Sequence, residues 1–161
     1  MKNYISPLLT SLFTLTFFFS TSQFLTAELV RTTAYTHTEK DHIKYGKRTA
    51  SGKMLSCKTS YTSAAADWSE FPLGTKFRIK GEATIYVIDD YGSALVGTRT
   101  IDIYCPSRSA MNEWGVRHVE IEILEFGSFE KSAKLLAGRT KWSHCKAMFE
   151  AIRNRDRDTT V

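Results

Sequence analysis

Tyr86-Val87-Ile88-Asp89-Asp90-Tyr91-Gly92-Ser93-Ala94 and, just beyond it, Gly97-Thr98-Arg99-Thr100-Ile101-Asp102-Ile103-Tyr104 attach carboxylates to apolar, strand-like runs on either side of a glycine-containing turn. Successive side chains of a strand point to opposite faces, so Ile101 and Ile103 share one face and Asp102 and Tyr104 the other. With the isoleucines in the core, Asp102 faces a cleft. Burial raises a carboxyl's pKa, and a second carboxylate nearby raises it further, which makes a proton donor suited to neutral pH. Sites that cleave carbohydrate commonly look like this.

Working outward, short β-forming runs between turn residues predict strands near 31–36, 60–66, 75–79, 84–89, 99–104 and 117–124. Six short strands predict a mainly β chain closed as a small barrel. The last run alternates cleanly, with Val119, Ile121 and Ile123 on one face and His118, Glu120 and Glu122 on the other. His118 therefore reads as a solvated strand residue, not a ligand. Pro72-Leu73-Gly74-Thr75 and Lys80-Gly81-Glu82 read as tight turns.

Two helices follow. Ser128 is placed to cap one that runs to about Ala137, with Gly138 as its stop; a second runs from near Thr140 to about Arg153, with Trp142, Cys145, Met148, Phe149 and Ile152 at helical spacing. Their apolar faces are expected to pack on the barrel. The charge-alternating tail from Arg153 onward reads as a frayed, solvated end.

The chain has 161 residues and a net charge of +5. Met1-Lys2-Asn3 is positively charged and residues 8–19 are apolar apart from Thr and Ser, the pattern of a secretory signal peptide. Residues 1–27 form that segment if cleavage follows Ala27; Ser20-Thr21-Ser22 offers an earlier site. The apolar run is shorter than the ~18 residues that a membrane span needs, so no stable span is expected after cleavage, and export to the periplasm, envelope or exterior follows. Residues 1–27 hold one lysine and no acid, which leaves +4 on a remainder long enough for one domain with a real core.

The basic residues are scattered, with no aromatic-interleaved stripe, so nucleic acid is not an expected partner. Cys57, Cys105 and Cys145 are odd in number and lack CxxC spacing, which argues against zinc and leaves three possible disulfide pairs open. Cys105 with His118 downstream has no signature of a cysteine nucleophile. The cluster His37, Glu39, Asp41, His42 fits no strong metal-ligand spacing, so neither metal nor cofactor is expected. Oligomeric state is not set by the sequence.

Thr33-Ala34-Tyr35-Thr36, Glu39, Thr49-Ala50-Ser51-Gly52, Ala65-Ala66-Asp67, Phe71-Pro72-Leu73-Gly74-Thr75, Asp90-Tyr91-Gly92-Ser93-Ala94 and Ile101-Asp102-Ile103-Tyr104 occur in an order and spacing that resembles the three-aspartate (3D) domain. That family is a double-psi β-barrel of bacterial cell-wall proteins, including the C-terminal part of membrane-bound lytic transglycosylase A and the stationary-phase survival proteins of spore formers. The resemblance covers roughly residues 32–124. It implies a six-stranded double-psi barrel over 28–125 with a helical extension over 126–161. It implies Asp67, Asp90 and Asp102 as the three aspartates, Asp102 matching the catalytic one.

The activity implied by the resemblance is lytic cleavage of peptidoglycan glycan strands between N-acetylmuramic acid and N-acetylglucosamine, leaving a 1,6-anhydro sugar. Asp90 and Asp67 would hold Asp102 protonated and oriented. Glu39, Tyr35 and Ser51 are the candidate substrate-binding residues, and Tyr35 and Trp68 are candidates for stacking on sugar faces. Two departures stand out. The family's Asp-Thr-Gly-Gly-Ala-Ile is replaced by Asp90-Tyr91-Gly92-Ser93-Ala94-Leu95, and one extra residue, assigned to Thr100, precedes Asp102. Asp89 competes with Asp90, which is preferred because it directly precedes the turn. Barrels of this architecture also serve as non-cutting, expansin-like binding modules, so binding alone and hydrolysis are the rival readings.

Overall fold

The computed structural model describes residues 27–40 and 42–158. The expected export segment lies outside the described residues except for Ala27, and so does Asp41. Seven strands form one sheet: β1 (Ala27–Tyr35), β2 (Cys57–Lys58), β3 (Tyr61–Ala65), β4 (Lys76–Ile79), β5 (Tyr86–Asp90), β6 (Thr100–Tyr104) and β7 (Arg117–Glu125). Their order is β2-β3-β5-β4-β7-β1-β6, and an additional β3–β6 pairing closes that order into a ring. Two pairings are parallel, β1 with β6 and β3 with β5, and the rest are antiparallel. The strands differ from the six expected by β2, a two-residue arm paired to the start of β3. So short a run, with both residues exposed, carries no periodic signal.

As the alternation predicts, Ile101 of β6 and Ile121 of β7 lie in the ring's interior with essentially no exposure, and Ile88 of the wholly buried β5 joins them. Burying each such side chain stabilises the fold by about 1.5–3 kcal/mol. On the outer face of β7, Glu122 pairs with Arg78 of β4 and Glu120 with Lys80 just after it, and His118 is exposed.

Three helices complete the chain: α1 (Arg108–Trp114), α2 (Phe129–Ala137) and α3 (Ser143–Asp158). The sequence reading lacks α1. Its local signals are the Ser107 hydroxyl, which accepts from the Ala110 N–H, and Gly115, whose left-handed φ of 61° ends the helix. The Ser128 hydroxyl caps α2 as expected, accepting from the Lys131 N–H, and Gly138 follows the last turn. Instead of fraying, α3 stays helical past Arg153: the Arg155 guanidinium donates to the Ser69 carbonyl at 3.2 Å and lies over the Phe129 ring.

Leu136, Cys145, Met148 and Ile152 of this helical pair share one buried cluster with Val30, Phe77 and Ile88 of the ring. Ring and helices therefore fold around a common core. Among the described residues no helix is long and apolar enough to cross a membrane.

A cleft with a carboxylate floor as the candidate active site

Four neighbouring strands set the floor. Ala65 of β3 pairs with Asp90 of β5 on one side and with Asp102 of β6 on the other, and Asp102 in turn is opposite Thr33 of β1. The row Asp90–Ala65–Asp102–Thr33 thus crosses four strands. With strands about 4.8 Å apart, the backbones of Asp90 and Asp102 lie roughly 10 Å from each other, separated by a single methyl group. All four residues line one cleft of about 1000 Å³.

An irregularity in the β3–β5 pairing creates this row. Ala64 pairs with Ile88 but Ala65 pairs with Asp90, so Asp89 is the extra residue of a bulge. Asp89 is wholly buried, away from the cleft, where its Oδ2 accepts from the Tyr61 hydroxyl and, at 2.9 Å, from the Ser63 hydroxyl. Burial pushes its pKa up to about 6, against the lowering effect of those two hydrogen bonds. The two adjacent aspartates therefore have different environments.

Asp90 is 5% exposed and held by three donors: Oδ1 accepts from the Ala50 N–H at 2.8 Å and the Tyr91 N–H at 2.9 Å, and Oδ2 accepts from the Tyr35 hydroxyl at 3.2 Å. Burial raises its pKa, and these hydrogen bonds oppose the rise. The same burial, reinforced by the Asp90 carboxylate, pushes the Tyr35 phenol well above its ordinary value. Asp102 is less enclosed, and its Oδ1 accepts from the Thr33 hydroxyl at 2.6 Å. Its strand neighbours Ile101 and Ile103 are buried in the main core, while Tyr104 joins Tyr35, Ala65 and Leu95 in a second cluster beneath the cleft.

Asp67 does not line the cleft. Its Oδ1 accepts from both the N–H and the hydroxyl of Ser69, at 2.8 and 2.6 Å, and its Oδ2 accepts from the Gly97 N–H at 2.8 Å. It ties the loop after β3 to the turn before β6. In that turn Arg99 adopts a left-handed φ of 50°, with its guanidinium on Glu28 and Glu70, and Thr100 is the first residue of β6. From Thr100 onward the pairing with β1 is regular.

Of the remaining candidates, Tyr35 and Glu39 line the cleft and Ser51 does not. Glu39 turns its Oε2 to the Thr36 N–H at 3.1 Å, and Ser51 hydrogen-bonds Thr49 beside the cleft. Trp68 is fully buried, donating its Nε1–H to the Asp90 carbonyl at 2.9 Å with its ring edge-on to Tyr91. It supports the floor from below and has no face free for a sugar.

One wall escapes the sequence reading. The turn between α2 and α3 lines the cleft with Gly138, Arg139, Lys141 and Trp142, and His144 of the first turn of α3 joins them. The Arg139 guanidinium donates to the Ala50 carbonyl at 2.9 Å and to the Tyr91 hydroxyl at 3.3 Å. The Cys145 thiol also donates to Tyr91, at 3.2 Å. Ala50 and Tyr91 are the residues whose N–H groups hold Asp90, so the helical pair steadies the floor. The amphipathic spacing of these helices signals packing, but nothing local indicates what their connecting turn faces.

His42 also lines the cleft, between the Tyr35 and Tyr45 rings, with its Nε2 buried and unpartnered among the described residues. No group of three or more described His, Cys, Asp or Glu side chains is placed to hold a metal ion. All three thiols are free; Cys57 and Cys105 line a second, smaller groove together, and Cys145 lies in the main core.

Residues 62–125, from β3 through β7 and including Asp67, Asp90 and Asp102, match the family model described as the 3D domain, the family that the aspartate pattern resembles. Among curated proteins, 78 residues align at 36% identity with the cell wall-binding protein YocH of Bacillus subtilis (strain 168), covering 47% of this chain and 26% of that protein. The aligned stretch is thus about a quarter of that relative's length.

Proposed function

We propose that the protein is an exported lytic transglycosylase of peptidoglycan, with the strand ring as a double-psi barrel over residues 28–125, a helical extension over 126–161, and residues 1–27 as the export segment. The observation that carries this reading is the floor row, in which Asp102 stands on a core-backed strand, opens to the cleft and is oriented by the Thr33 hydroxyl.

One carboxyl group suffices for the chemistry. Protonated Asp102 gives its proton to the glycosidic oxygen as the C1–O bond of N-acetylmuramic acid breaks and oxocarbenium character develops. The resulting carboxylate then takes the proton of the sugar's own 6-hydroxyl as O6 bonds to C1. The acid is regenerated and no water is consumed. Asp90 positions the floor. Hydrolysis would need it to activate water, yet both of its oxygens are held by donors and it is nearly buried.

Glycan binding without cleavage is the second reading, favoured by the name of the aligned relative. Incubating purified peptidoglycan with the protein and analysing the products by mass spectrometry separates the readings. The lyase gives anhydro-ended muropeptides, and Asp102→Asn, which keeps the shape but not the proton, lowers their yield by about 10²–10⁴-fold. Reducing ends would indicate hydrolysis. Co-sedimentation with no released product, or full activity in the variant, would overturn the lyase assignment.

A further inference from the structure

The carboxylate floor accounts for only part of the cleft. Its remaining lining is cationic and aromatic: Lys44 and Arg48 come from the loop after β1, and Arg139, Lys141 and Trp142 from the turn between α2 and α3. Four cations thus converge on one cleft, and none of them forms an ion pair with a described carboxylate. Their contacts are with neutral groups instead. Lys44 lies over the Tyr45 ring and Lys141 over the Trp142 ring; Arg48 donates to the Gly52 carbonyl, and Arg139 to Ala50 and Tyr91. Tyr45 and Trp142 are themselves 58% and 53% exposed. Cations without acidic partners beside exposed aromatic faces make a surface suited to an anionic ligand with some apolar area.

We infer that this wall binds the carboxylate-bearing peptide branch of the glycan strand, so that the cleft selects peptide-substituted over bare glycan. The inference rests on the peptidoglycan reading of the floor and adds what the rest of the cleft is for. The sugar rings are neutral, and a strand stripped of peptide offers these four cations a single lactyl carboxylate per N-acetylmuramic acid. The lactyl ether at O3 of N-acetylmuramic acid carries a peptide with free carboxylates, and it is brought into the cleft by the same residue whose C1 is cleaved. A phosphate polymer joined through the 6-hydroxyl would supply anions too. It would also occupy the oxygen that must close on C1, so the peptide branch is the occupant compatible with the floor's chemistry. The wall comes from outside residues 62–125, partly from the loop after β1 and partly from the helical extension.

The test compares three probes by equilibrium binding to the full-length protein: intact peptide-bearing glycan strands, the same strands stripped of peptide by an amidase, and a soluble phosphate polymer. The expected result is affinity for intact strands at least about tenfold above that for stripped strands, a preference that weakens as salt screens the charges. The double variant K44E/K141E reverses two exposed charges that contact only their own neighbouring rings, and its melting curve verifies folding. In it the ratio of the two affinities is expected to fall towards one. Equal affinity of the wild type for intact and stripped strands overturns the inference, as does a preference that survives the double variant or tighter binding to the phosphate polymer. Anhydro products are scored separately. Preferential binding without them sustains the wall assignment and removes the lyase, while products formed equally from both strands sustain the lyase and remove the wall assignment.

Discussion

The floor and the helical wall of the cleft are held in different ways. Asp90 and Asp102 stand on strands flanking β3, and backbone pairing through Ala65 sets their relation. Arg139 and Trp142 stand in a turn that reaches the floor through side-chain hydrogen bonds and a shared core. Strand register resists small changes because slipping it by one residue turns every side chain to the other face. A turn docked by one guanidinium can be loosened by one substitution. The carboxylate row thus rests on the backbone ladder, and the cationic wall rests on side chains.

Ring and helical pair join at Gly127, between β7 and α2, and the largest expected effect is there. A Cβ at this position would lie 2.3 Å from the Pro72 carbonyl oxygen, 2.4 Å from that of Leu73 and 2.5 Å from the Thr75 nitrogen, all backbone atoms. Gly127→Ala should cost about 3 kcal/mol or more, seen as a drop in Tm. An unchanged Tm would mean that the helices dock without this close approach.

The next effect lies behind the floor. A carboxyl whose folded pKa is about 6 and whose unfolded pKa is about 3.9 contributes stability below pH 4 and loses it as pH rises through 6, by about 3 kcal/mol in all. Asp89→Asn cannot ionise, so the stability gap between variant and wild type should shift by that amount between pH 4 and 7.5 in denaturant titrations. Parallel pH profiles would show that Asp89 does not titrate in this window. A smaller loss, about 2 kcal/mol, is expected for Asp67→Ala, which leaves the donors at Ser69 and Gly97 without their acceptor. Its activity per folded molecule should stay far above that of Asp102→Asn; equal inactivation would return Asp67 to the chemistry. The smallest effect belongs to Arg139→Ala, about 1 kcal/mol in stability with a several-fold fall in turnover as Ala50 and Tyr91 loosen around Asp90. Arg139→Lys should restore little, because one ammonium cannot reproduce a fork reaching two acceptors.

Local patterning makes most of the floor legible in the sequence. The alternation of Ile101, Asp102 and Ile103 and the Ser128–Gly138 capping pair act over a few residues, and the structure follows them closely. The separation of Asp89 from Asp90 depends on a bulge against β3, more than twenty residues away, and nothing in Ile88-Asp89-Asp90 encodes it. Trp68 is a candidate for stacking on a sugar in the sequence, yet its indole is drawn under the floor by the Asp90 carbonyl. The charged run after Arg153 reads as solvent-loving, but Arg155 finds a carbonyl and a ring on the neighbouring elements. These are tertiary contacts, chosen by the assembled fold.

Closure of the sheet through β3 and β6 bears on how the molecule behaves among copies of itself. In an open sheet the outermost strands present unpaired N–H and C=O groups that can template another chain. Here every strand of the ring has a neighbour on both sides, and the outermost element is β2, only two residues long. So short an edge offers little purchase for strand addition, which favours staying dispersed at high local concentration.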